Sequence, residues 1–330
     1  MYPVMAPTRV IGSALALVVG LAATPATQSK PWTAPRTSDG HPDIQGVWTN
    51  ATITPFERPG NLADKPFLTA AEAAELEQRT LERRAQAETA PRPAKATDPG
   101  AYNDFWMDSG TKVLPGGQTS MVVEPANGRV PVRPAAEKTR DENLKRSFED
   151  PEYMSVWDRC ITRGVPGSMF PAGYNNAYQI LQMPGYVIIL YEMIHDARII
   201  PLASRSHAPS PIRNWMGDSR AHWEGNTLVV DVTNYNNKGW IASSAAGGRI
   251  KGIPHTDRLH VVERFTRTGP DTMQYEATIE DPDIYTQTWK VGFPLTRDPG
   301  YTIYEYACHE GNQAVANVLK GARFQERSQP

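Results

Sequence analysis

The sequence predicts a mainly β protein: an antiparallel meander closed into a barrel, with an irregular and helical N-terminal wrap and a short C-terminal helix. Three observations predict it. Short runs of alternating or β-branched residues recur through residues 111–330, separated by turns rich in Gly, Pro and Asn. No strand–helix–strand rhythm interrupts them. The runs follow one another as hairpins, which favours a closed barrel over a sandwich.

The elements follow in chain order. Residues 30–68 are Pro-rich and irregular, but Ile44, Gly46 and Trp48 alternate with smaller or polar residues as a first strand would. Thr69 and Glu72 form a capping box, and the strongly helix-forming stretch after it predicts a helix to about Glu88. Leu76 and Leu81 give that helix only a narrow apolar stripe, so it belongs on the outside. Residues 90–100 read as a linker. Thr119–Glu124 and Arg129–Val132 flank Pro-Ala-Asn-Gly and read as a hairpin. Residues 134–150 are charged and read as helix or loop. Tyr178–Gln182 and Tyr186–Met193 flank Met-Pro-Gly, with Arg198–Leu202 next; Ala221–Trp223 and Thr227–Thr233 flank Glu-Gly-Asn. Leu259–Thr266, Met273–Glu280, Thr286–Phe293 and Tyr301–Tyr306 complete the strands, and Gln313–Gly321 reads as the closing helix. Along Met273–Glu280 apolar and polar residues alternate, which marks a strand with one buried face.

Composition bounds function. The chain has 330 residues, 34 Lys+Arg against 36 Asp+Glu and a formal net charge of −2, so it lacks the basic excess of a nucleic-acid binder. Eight Trp, 13 Tyr and 8 Phe point to aromatic-lined pockets or surfaces. Arg9 precedes an apolar run, Val10–Ala23, too short to span a bilayer but suited to a secretory signal. Thr24-Pro25-Ala26 is the expected cleavage site and Ala22-Ala23-Thr24 its competitor. The expected organisation is a signal peptide at 1–26, the wrap at 27–110 and the barrel-like domain at 111–330. No membrane span remains after cleavage, and the mature protein is expected in the periplasm or outside the cell. Export in turn favours a disulfide between Cys160 and Cys308, the only cysteines; two separate buried thiols are the alternative.

Several stretches resemble a family of uncharacterised secreted bacterial proteins: PWTAPRTSDGHPDIQGVWTN at 31–50, YNDFW at 102–106, GYNNAYQI within 173–180, MIHDARIIPL at 193–202, HWEGNTLVVD at 222–231 and YEYACHEGN at 304–312. The resemblance implies export and carries no reaction. Gly46-x-Trp48 also resembles the opening strand of lipocalins, which implies a lipocalin-like barrel as fold-level analogy.

The candidate chemistry rests on four histidines on or beside strands, His195, His222, His260 and His309, each with a carboxylate nearby in sequence. Imidazole suits proton transfer at neutral pH, and alternate residues of a barrel strand point inward, so these rings are expected to converge on an interior cavity. Parity restricts this: His260, Val262 and Arg264 share one face, while Val261, Glu263 and Phe265 share the other. Tyr191 and the Asn175–Asn176 pair would orient substrate. Two aromatic and amide clusters, with Tyr102, Asn103 and Trp106 in one and Tyr174, Asn175 and Asn176 in the other, suit a flat aromatic, polycyclic or sugar-derived ligand, or else plug the barrel end. Arg198 would hold a carboxylate. Residues 236–256 are small and Gly-rich, a candidate lid from which Trp240 or His255 reaches a ligand. No dinucleotide fingerprint, Walker lysine, nucleophile elbow, His-x-His or Cys-x-x-Cys occurs, so no organic cofactor is expected. A divalent metal would need ligands from distant strands.

The resulting expectation is an exported enzyme using histidine and carboxylate acid–base chemistry, a lyase, isomerase or hydrolase, on a small ring-bearing molecule. A non-catalytic carrier of a similar ligand and an envelope interaction module are the alternatives. Paired histidine and carboxylate inside one cavity would favour the first, a dry apolar cavity the second, and a filled barrel with an exposed apolar patch the third.

Overall fold

The computed structural model describes residues 32–89, 107–202 and 206–328. The expected signal peptide, its cleavage site and the linker at 90–100 lie outside the described residues. Thr33–Pro330 is one compact unit. Its helix α1 (Ala70–Thr89) starts where the capping box places it. Thr69 Nα donates to Glu72 Oε2 at 2.8 Å, and Glu72 Nα donates back to Thr69 Oγ1 at 3.3 Å.

Ten strands build one antiparallel sheet: β1 (Gly46–Thr49), β2 (Val122–Glu124), β3 (Ala177–Met183), β4 (Tyr186–Tyr191), β5 (Ala197–Pro201), β6 (Asp218–Glu224), β7 (Thr227–Thr233), β8 (His260–Gly269), β9 (Thr272–Glu280) and β10 (Trp289–Arg297). The order is β5-β4-β3-β1-β10-β9-β8-β7-β6, with β2 added beside β10. Two hairpin runs, β3–β5 and β6–β10, are therefore joined through β1, a barrel strand lying inside the expected wrap. An odd ring of alternating strands cannot close on an antiparallel pair. The seam between β5 and β6 is accordingly parallel, and a single bridge, Leu202 to Ala221, holds it. The sheet is thus nearly closed.

The centre is solid. Trp48, Phe265, Tyr275 and Phe293 are fully buried, and the last three pack as tilted rings at 5.0 and 5.1 Å between centroids. Each such ring contributes a few kcal/mol by burial. Arg267 sits over the Trp48 ring at 5.8 Å, and Trp48 Nε1 donates to the Ile44 carbonyl at 3.0 Å. Gly46 is required here: its φ is +131°, and a Cβ would lie 3.0 Å from Arg297 Nε.

Three expected elements differ. Thr119–Glu124 does not pair with Arg129–Val132; β2 pairs with β10 through Glu124 and Lys290. Tyr301–Tyr306 has no regular secondary structure and is not a strand. The closing helix α3 (Ala314–Ser328) runs past Gly321 to Ser328 and buries none of its residues. The charged stretch after residue 133 holds α2 (Pro134–Lys145). Among the described residues, no helix is long and apolar enough to cross a membrane.

Candidate functional site

The histidines do not converge inside the barrel. His195, His222 and His309 are exposed and His260 half-exposed. His222 Nε2 lies 3.0 Å from Glu224, and His260 Nε2 lies 2.8 Å from Asp231. Parity explains His222 and His260, which stand on the outward faces of β6 and β8. His195 leaves the interior for another reason. The chain turns sharply after β4, with Ile194 at φ +65° and His195 at φ +46°, so the inward parity of Tyr191 ends there.

What fills the barrel centre instead is an ion pair. Arg198 on β5 meets Glu263 on β8, Nη2 to Oε2 2.6 Å, and both are buried. Tyr275 donates to Glu263 Oε1 at 3.0 Å, and Arg198 Nε donates to Ser219 Oγ at 3.0 Å. Burial pushes the Tyr191 hydroxyl up to about 12, with the nearby Arg198 charge opposing. Arg198 therefore already has its carboxylate, within the protein. The loop at 236–256 is no lid. Ile241, Ala242, Ile250 and Ile253 join the main core, and Trp240 and His255 are buried. His255 packs edge-on to Tyr235 at 5.4 Å and is driven down to about 4 by desolvation. A Cβ on Gly239 would come within 2.2 Å of its Nε2, so only glycine fits there.

The concave site lies outside the barrel. A disulfide joins Cys160 to Cys308 and ties the C-terminal segment to the segment after α2. Between them is a cleft of about 650 Å³, lined among others by Trp157, Tyr174, Tyr306, Val315 and Val318. The Trp157–Tyr174 and Tyr174–Tyr306 centroids are each 6.1 Å apart, a ladder of three rings. Asp158 and Glu310 are its charged lining residues. Met193 and Ile194 pack behind the rings.

Behind this wall sits Glu192. Its Oε1 accepts from Asn175 Nδ2 at 2.5 Å and from Tyr301 Oη at 2.8 Å, while its buried Oε2 has no hydrogen-bond partner among the described residues. Desolvation raises its carboxyl above the ordinary range, and the Asp108 charge adds to this. Asn175 adopts φ +53° to reach it. The Asn176 side chain turns the other way. Its amide accepts from Ala172 Nα and donates to the carbonyls of Asp108 and Ala172, which locks the loop.

Of the expected binding residues, Tyr174 alone lines the cleft; Asn175 supports it from behind. Tyr102, Asn103 and Trp106 lie outside the described residues. Trp157, Tyr301 and Tyr306 are not singled out by the sequence, and Glu192 enters there only as a carboxylate near His195. A signal existed for two of them: Trp157 and Tyr306 stand three and two residues before the half-cystines, so the disulfide brings them together. Among the described residues, no three His, Cys, Asp or Glu side chains are grouped to hold a metal. No protein-family model, curated protein or solved structure matches this chain.

Proposed function

We propose that this is an exported protein that binds a ring-bearing small molecule in the disulfide-bounded cleft rather than in the barrel. The single observation carrying this reading is the ladder of Trp157, Tyr174 and Tyr306 along a cleft of about 650 Å³, a volume suited to a small ligand. The charged lining residues are both acidic, so the favoured ligand is neutral or cationic; Arg163 already lies over Trp157, so a cation gains further from the Tyr174 and Tyr306 rings. Glu192 stands behind the ring wall and does not line the cleft, so its part is positioning: it anchors Asn175, the neighbour of Tyr174, and Tyr301.

Titration of Trp157 fluorescence with benzylamine, benzyl alcohol and benzoate tests this. Benzylamine is expected to bind most tightly and benzoate most weakly, and Tyr306→Ala to weaken all binding about tenfold. Equal, Tyr306-independent responses to the three would refute the site. Recovery of the bound ligand separates carrier from enzyme: a carrier returns it unchanged, whereas an enzyme returns product. An interaction module is the second reading, favoured by the filled barrel and its apolar outer wall.

A further inference from the structure

The outward faces of β3, β4 and β5 carry three cross-strand rows: Met183–Tyr186–Pro201, Leu181–Ile188–Ile199 and Gln179–Leu190–Ala197. None of these nine residues is charged. Ile199 is 63% exposed, Met183 52% and Tyr186 39%. Their inward neighbours Val187, Ile189 and Ile200 are fully buried, so this part of the sheet is apolar outside and, Arg198 apart, largely apolar inside. An antiparallel sheet facing water on one side normally alternates. The outward faces of β6 to β9 do so, with Asp218, Arg220, Asp231, Arg264 and Glu276 among their residues.

We infer that the outer wall of β3–β5 is a self-association surface, which packs face to face against the same wall of a second copy of this chain. Complementarity selects that occupant. A two-fold contact sets a surface against itself, so any cluster of like charge would repel its own image. This wall has no charge to repel. Its partner must be equally uncharged, since a charge placed against it would lose water and gain no ion pair. No Lys or Arg stands among the nine residues to meet a lipid headgroup. The residue types fit as well: Tyr, Met and Ile with no Lys, Glu or Asp is the make-up of an interface centre. Area sets the strength. Three strands about 4.8 Å apart and about six residues long present roughly 300 Å² in projection. A standard interface takes about 800 Å² per partner, so the wall forms the centre of a modest contact and the dimer is weak.

Sedimentation velocity of the full mature chain across the micromolar range tests the inference. The expected result is a reversible shift from monomer to dimer with rising concentration. Ile199→Glu places like charges on both sides and is expected to raise the dissociation constant by at least about tenfold. Glu276→Lys, on the charged wall, leaves it unchanged. Ile199 is exposed, so the fold should tolerate Glu, as an unchanged melting curve will show; should it not, Met183→Lys at the hairpin end replaces it. A monomer at every concentration overturns the inference, as does a dimer that survives the substitution.

Discussion

The two walls of the barrel share one interior and differ outside. Both face inward with the same kind of apolar row. Outside, β3–β5 shows Leu181, Ile188, Leu190 and Ile199, whereas β6–β9 shows acids, arginines, histidines and threonines. Apolar packing and one buried ion pair fix the inner face of this barrel, and the outer faces record what each wall meets. The charged wall meets water and a loop: His207 bridges Asp218 at 2.9 Å and Asp231 at 2.7 Å, and His260 takes the other Asp231 oxygen. The apolar wall has no such partners among the described residues.

The largest expected effect lies where the walls meet inside. Arg198 comes from the apolar wall and Glu263 from the charged one, so their ion pair spans the core. Glu263→Ala strands a buried guanidinium and is expected to cost about 3–5 kcal/mol by urea unfolding. The double replacement Arg198→Met with Glu263→Leu should recover most of that. A cost below about 1 kcal/mol for the single change would mean that water reaches the pair and screens it.

Acid is the next lever. His255 has its folded pKa depressed from 6.5 to about 4, so the unfolded chain binds its proton more readily. Stability from this group is present above the unfolded value. It is lost as pH falls from about 6.5 towards 4, by an amount on the order of 3 kcal/mol. Glu192 acts with the opposite sign: its folded pKa is raised, so its contribution declines as pH rises above the ordinary 4.5. Melting temperature against pH, compared with Glu192→Gln, checks both signs. The variant should lose less stability than wild type on going from mildly acidic to neutral pH.

Smaller effects separate the outer walls. Asp231→Asn weakens two histidine contacts at part-exposed positions and is expected to cost about 1 kcal/mol or less, shrinking with salt. Ile199→Ser on the other wall should change monomer stability by less than about 0.5 kcal/mol, because the side chain is mostly in water already. A large loss there would show that the wall is structural and not a contact surface.

The same contrast decides what the sequence could reveal. Clean alternation in β8 and β9 places their strands and separates His260 from Glu263. In β4, the run Tyr186–Tyr191 is apolar at both parities, so the strand is legible but its outer face is not. The capping box at Thr69 locates α1 because that signal is local. The pairing of Thr119–Glu124 differs from expectation because a Pro-Ala-Asn-Gly turn announces a reversal without naming the partner strand. His195 leaves its expected place because parity holds only while a strand continues, and the chain turns at Ile194. The cleft is half legible. Its disulfide is what the two cysteines and an expected export signal suggest, but Tyr301–Tyr306 looks like a strand, which hides Tyr306 as a wall of the site and Tyr301 as the partner of Glu192.

The barrel is filled, and the cleft proposed to bind a ligand lies outside it. Residue-resolved NMR shifts during a benzylamine titration test this most directly. Changes at Trp157, Tyr174 and Tyr306, with Tyr191, Arg198 and Tyr275 unmoved, are the expected result. Changes centred on Tyr191, Arg198 and Tyr275 would place the ligand within the barrel and contradict it.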